Sequence, residues 1–190
     1  MQKTIDVHPE SRKRMTARAL TTCAILAAAS VVLARLAGLM PNVSTRFSIE
    51  AVPIFLAGAL FGPLPGALVG ASADFIGCLF SGYGFNPLFT VPPILYGVFA
   101  GLFRKYVLEK PSVVRIGLAF LPPVVFGSVL YQSWALAFVY GGAAFRSFFL
   151  TKLATRSIQF AITWALETLV VFLLFRSGIF EKTHLIKKKE

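Results

Sequence analysis

The stretch from Phe55 to Arg104, FLAGALFGPLPGALVGASADFIGCLFSGYGFNPLFTVPPILYGVFAGLFR, is apolar enough for a membrane. Yet Gly, Pro and isolated polar residues interrupt it repeatedly. A simple anchor needs one unbroken apolar helix. Where lipid cannot satisfy a free N–H or C=O, irregular backbone survives only if protein or a water-filled cavity covers it. The stretch therefore predicts the wall of a binding site inside a polytopic membrane protein.

The rest of the chain agrees. Of 190 residues, 56% are hydrophobic and 14% charged, and the mean hydropathy is +0.74. A water-soluble domain of this size has no use for so much apolar surface. At about 20 residues per span, the length allows roughly five to seven helices.

The net charge of +11 does not point to nucleic acid, because of where it lies. Most basic residues fall in three clusters: Lys3, Arg12, Lys13, Arg14 and Arg18; Arg104, Lys105, Lys110 and Arg115; Arg176, Lys182, Lys187, Lys188 and Lys189. Long apolar runs separate them. This is the positive-inside pattern of loops that meet anionic headgroups. The N-terminal apolar stretch runs on past the length of a signal-peptide core into Arg35 and Leu39, and is expected to be a retained first span.

Six spans follow. Residues 1–15 are expected to be a cytoplasmic tail, 16–176 a six-helix membrane domain and 177–190 a basic cytoplasmic tail. Helix 1 is predicted over Thr16–Met40, ending before Pro41. Helix 2, Ile49–Phe61, rises only about 20 Å and cannot cross a core of about 30 Å without tilt or cover. Gly62–Gly66 reads as a tight turn. Helix 3 runs to about Phe80 and helix 4 from Leu88 to Phe103. Helix 5, Arg115–Tyr140, is expected to bend at Pro122-Pro123, and helix 6 spans Ser147–Phe175. An even number of spans keeps all three basic clusters on one side, so both termini are expected to be cytoplasmic. The fold class is an all-α integral membrane protein, one compact bundle.

Three acidic residues lie in membrane sequence: Glu50, Asp74 and Glu167. Each needs a partner, a proton or a wet cavity. Glu50 can serve the N-terminus of helix 2 or a ligand. Asp74, among Gly70, Ala71, Ser72 and Ala73, can bond a neighbouring helix or a ligand. Glu167 reads as structural or coupling-related. Polar and aromatic side chains gather near the predicted outer ends: Arg46, Phe47, Tyr83, Phe85, Asn86, Phe89, Thr90, Tyr96, Gln132, Trp134, Arg156 and Gln159. An aromatic belt explains some of these, but not the amides and cations among them. Together they suit a flat, heteroaromatic, anionic solute.

Catalysis has little to work with. His8 and His184 lie in the tails, which argues against a membrane-embedded Ser–His or zinc site. A phosphate-binding GxxxxGK[ST] loop is absent. Cys23 and Cys78 have no metal-ligand spacing and read as packing residues. No cofactor is expected. On helix 1, Ala24 and Ala28 stand four apart in an Ala-rich run, a strip suited to close helix contact, inside the bundle or with a partner.

The motif AGALFGPLPGALVG from Ala57 to Gly70, then Asp74, the run Gly82-Tyr83-Gly84-Phe85-Asn86-Pro87-Leu88-Phe89-Thr90 and the Gly97–Gly101 segment resemble the substrate-binding S-components of energy-coupling factor (ECF) vitamin transporters, and most closely their folate group. The resemblance spans about residues 16–176. It implies a non-enzymatic subunit of the cell membrane that captures a vitamin, folate first, outside the cell. It also implies docking on a transmembrane scaffold subunit that carries two ATPase subunits, with Ala24 and Ala28 matching the family's Ala-x-x-x-Ala docking motif. Arg46 and Arg156 would meet a glutamyl tail, and Glu50 or Asp74 a pterin edge. Other readings stay open at this level: an S-component for another heteroaromatic vitamin, an ion-coupled carrier using Asp74 and Glu167, or a membrane scaffold without ligand.

Overall fold

The computed structural model describes residues 16–38, 49–81, 84–109 and 111–179. Among them there are helices and connections but no strand. In chain order these are α1 (Ala17–Gly38), α2 (Ala51–Phe61), α3 (Pro63–Ser81), α4 (Pro87–Leu102), α5 (Arg104–Glu109), α6 (Val113–Pro122), α7 (Gln132–Tyr140) and α8 (Phe145–Arg176). A π-helical segment, Pro123–Tyr131, joins α6 to α7, and a 3₁₀ turn, Gly142–Ala144, precedes α8.

Four stretches are long and apolar enough to cross a membrane: Ala17–Leu36, Pro63–Phe80, Val113–Tyr140 and Gly142–Arg176. They keep most of their residues outside the protein core; only 22% of the apolar window in the last is buried. Leu20, Ile25, Leu79, Phe126 and Ile158 are among the large side chains left facing outward. That is the surface of a protein dissolved in lipid, where apolar side chains meet a solvent like themselves.

α2 resolves the problem of its own length. Its 11 residues rise only about 16 Å, yet every residue from Ala51 to Leu60 is buried. It is wrapped by α1, α3 and α4, with α8 against it as well. Phe55 of α2 stacks on Phe120 of α6 with ring centroids 3.9 Å apart, and Tyr96 of α4 meets Phe120 edge-on.

Glycines set how close α2, α3 and α4 come. A Cβ on Gly97 would collide with the backbone of Gly66, and one on Gly58 with the Gly97 carbonyl. Gly101 lies against Pro63, and Gly70 against the Pro93 carbonyl. The helices thus meet backbone to backbone, as small residues permit in membranes. The turn between α2 and α3 is tighter than the Gly62–Gly66 expected. Gly62 alone makes it, at φ 107°, in the region that costs an L side chain most. Pro63 and Pro65 already belong to the first turn of α3, where a missing N–H costs little.

Two local features depart from expectation. The Pro122-Pro123 pair does not simply bend the helix; it opens into nine π-helical residues, a wider coil that accommodates the lost intrahelical hydrogen bonds. The connection after α4 also contains a short helix, α5, whose Val107 is fully buried. α8 is fastened to α6 by the Trp164 indole, which donates to the Gly117 carbonyl at 2.9 Å.

Candidate ligand-binding cavity

Helix periodicity places the cavity. Residues three and four apart share one face of a helix. α1 brings Ser30, Val31, Ala34 and Arg35; α3 brings Ala73, Asp74, Gly77 and Cys78; α8 brings Arg156, Gln159, Phe160, Thr163 and Glu167. These three faces, with Glu50 and Ile54, Phe89 to Tyr96 on α4, Ser128 and Gln132, enclose about 360 Å³. That volume falls within the usual range for small-molecule sites.

Hydrogen bonds fix much of the wall. Asp74 accepts from the Thr90 hydroxyl at 2.6 Å, which ties α3 to α4 and leaves carboxylate capacity toward the cavity. Arg156 Nη1 donates to the Ser128 carbonyl at 3.2 Å and to Gln132 Oε1 at 3.0 Å. Its guanidinium lies over the Phe160 ring, 5.4 Å from the centroid. The Tyr96 and Ser128 hydroxyls share a hydrogen bond of 3.0 Å, and Ser30 donates to the Glu50 carbonyl at 2.7 Å. Arg35 donates to the Gly77 carbonyl. Two guanidinium and three carboxyl groups therefore share one cavity in an otherwise apolar bundle.

The sequence-predicted residues divide into three groups. Glu50, Asp74, Phe89, Arg156 and Gln159 are on the wall, with Thr90 bonded to Asp74 behind it. Phe85, Asn86 and Trp134 do not line it. Phe85 is exposed and packs edge-on against Phe75, and Trp134 is exposed beside Tyr131 and Phe138. Asn86 caps α4, its side chain accepting from the Leu88 N–H at 3.1 Å. Arg46, Phe47 and Tyr83 lie outside the described residues. Ala24 and Ala28 are both exposed, on the face of α1 adjoining the buried stripe of Cys23, Ala27 and Val31. Asn86→Ala is expected to cost about 1 kcal/mol of stability through the lost cap while leaving ligand affinity unchanged; thermal unfolding and titration check both halves.

Glu167 and Arg35 are the charged wall residues that reading by depth along the chain missed. The signal existed. Arg156, Gln159, Phe160, Thr163 and Glu167 follow a spacing of three, one, three and four, one face of a helix. Among the described residues no group of three or more His, Cys, Asp and Glu could hold a metal.

A family model described as "ECF transporter, substrate-specific component" matches residues 18–181. The chain belongs to this family. This S-component is 29% identical over 122 residues to the folate transporter FolT of Clostridium novyi (strain NT), covering 62% of this chain and 67% of that one. It is 30% identical over 112 residues to the uncharacterized protein MG098 homolog of Mycoplasma pneumoniae, covering 54% of this chain but only 23% of that longer protein. Among solved structures it resembles FolT bound with folic acid, at a TM-score of 0.64 and 26% identity, covering 78% of this chain and 89% of that one. It also resembles ThiT from Listeria monocytogenes, at a TM-score of 0.63, covering 85% and 94%. Identity to ThiT is 18%, so that likeness concerns the fold alone.

Proposed function

We propose that this S-component is the high-affinity substrate-binding subunit of an ECF-type vitamin importer of the cell membrane, and that its substrate is folate. The observation that carries the reading is the cavity, in which cations, carboxyls and flat apolar walls occur together. A pterin offers a stacking face and a row of N–H donors, and a glutamyl tail offers carboxylates for guanidinium groups. The similarity to folate transporter FolT and to the folic-acid-bound FolT structure supports this substrate over other vitamins.

In this reading the chain crosses the membrane six times with both ends in the cytoplasm. Residues 1–15 and 177–190 are its tails, and 16–176 its binding domain. α2 and α4 count among the spans because other helices cover them. Arg156, Gln159, Asp74, Glu50 and Phe89 contact the ligand. Arg46, Phe47 and Tyr83 are assigned to the same site from their place near the predicted outer ends of the helices. The chain hydrolyses no ATP itself; a transmembrane scaffold subunit and two ATPase subunits supply the energy, with α1 docking through Ala24 and Ala28.

Calorimetric titration of the detergent-purified chain with folic acid, thiamin, riboflavin and biotin tests the substrate. One-to-one binding of folic acid alone is the expected result. Binding of a different vitamin moves the substrate and keeps the subunit role; silence toward all four removes the vitamin reading. The three carboxyls on the cavity favour one rival, an ion-coupled carrier, which predicts uptake into vesicles without any ATPase.

A further inference from the structure

Glu167 is the wall residue that bundle packing leaves least explained. It sits in the C-terminal half of α8 and is only 2% exposed. The N–H of Ala51, the first residue of α2, bonds to its carboxyl. That contact serves one of the donors a helix start leaves unmatched. Glu167 Oε2, however, has no hydrogen-bond partner among the described residues. A buried acceptor left open is destabilising, and a carboxylate has room for further donors beyond one N–H.

Among the described residues no cation is seen to close it. Arg156, three turns earlier on the same face, directs Nη1 at Ser128 and Gln132. The charged neighbour that acts on Glu167 is another acid, Glu50. Tyr96, also within its electrostatic reach, shares its hydroxyl with Ser128. An unmatched buried acceptor on a residue of the cavity lining, beside a second carboxyl, calls for a ligand that arrives with N–H donors. Arg35, which is exposed, lines the same cavity. The cavity thus has a buried acceptor at one place and an exposed cation at another.

We propose that Glu167 is a specificity-determining residue, its carboxyl receiving the adjacent ring N–H and exocyclic amino donors of an amino-pyrimidinone heterocycle seated ring-first, while an anionic tail stays toward Arg35. The proposal rests on the vitamin-binding reading above. Two parallel N–H donors on one carboxylate make the same two-pronged match that a guanidinium makes, with charge assistance. An analogue lacking one donor leaves the buried oxygen open, and sites of this kind reject such analogues strongly.

The test is a cycle of two proteins and two ligands. Wild type and Glu167→Gln, full-length in detergent, are titrated with folic acid and with 2-desaminofolic acid, which lacks the exocyclic amino group. Wild type is expected to prefer folic acid by about tenfold to a hundredfold, and E167Q to lose most of that preference. Equal affinity of wild type for the two ligands overturns the proposal, and this arm decides even if E167Q does not fold. A preference kept in full by E167Q overturns it as well. If wild type ignores folic acid but binds thiamin, the substrate assignment fails and the proposal fails with it, because thiamin has no ring N–H beside its amino group and no anionic tail. If wild type binds no vitamin, both readings fall.

Discussion

Gly97→Val is expected to yield no folded protein in the membrane. The α-carbon of Gly97 faces the backbone of Gly66 and Ala67, so any side chain there would occupy space already filled by peptide atoms. Overpacking a side chain against side chains costs about 1–3 kcal/mol, because rotamers can yield. Here the obstacle is another helix backbone, and relief requires α3 and α4 to separate. Separation would also undo the Gly70 and Gly101 contacts along the same seam. The loss then exceeds about 3 kcal/mol, a large share of what a domain of this size holds in reserve. Size-exclusion chromatography of the detergent extract checks it. Gly84→Ala serves as the control, since a Cβ at Gly84 meets nothing within 4 Å. A monodisperse Gly97→Val protein with wild-type thermal stability would contradict the backbone-to-backbone seam.

Replacing Ala24 and Ala28 together by Trp should have the opposite signature: a sound protein that binds ligand normally and drives no uptake. Both alanines are exposed on α1, and the cavity residues of that helix, Ser30, Val31, Ala34 and Arg35, are not among them. Lipid tolerates indole, so the isolated chain has no reason to lose stability. A helix partner does not, because close approach of membrane helices depends on small residues at that spacing. In liposomes carrying scaffold and ATPase subunits, ATP-driven folate uptake is expected to fall to background, with calorimetric affinity within about twofold of wild type. Undiminished uptake would make the strip an ordinary lipid-facing surface.

Much of this architecture was legible from composition and punctuation. The apolar runs and their breaks give the helices, and the short helix 2 calls for cover, which the burial of α2 supplies. The consequences of paired prolines were harder to read. Pro122-Pro123 removes two hydrogen bonds whether the helix kinks or widens, and here the chain takes the wider coil. Of the glycines in the family resemblance, Gly58, Gly66, Gly70, Gly97 and Gly101 turn out to space helices. For the cavity, Phe85, Asn86 and Trp134 share the neighbourhood of the wall in sequence but not its face. Glu167 and Arg35 share the face without sharing the neighbourhood. Depth along a chain groups residues by level; which of them meet depends on rotation about each helix axis and on how the axes cross. Sequence periodicity supplies the first, and the crossing needs three dimensions.

The glycine seam also divides the cavity wall mechanically. α2, α3 and α4 are interlocked peptide against peptide, with no compressible side chains between them at the contact points. α1 and α8 join that trio through side chains, which can change rotamer and repack. One side of the chamber therefore behaves as a mould and the other as a cushion. The mould carries Asp74, Phe89, Pro92 and Pro93; the cushion carries Arg35, Arg156 and Glu167. Shape is enforced by the trio, and adjustment to the charge and length of a guest falls to the two outer helices.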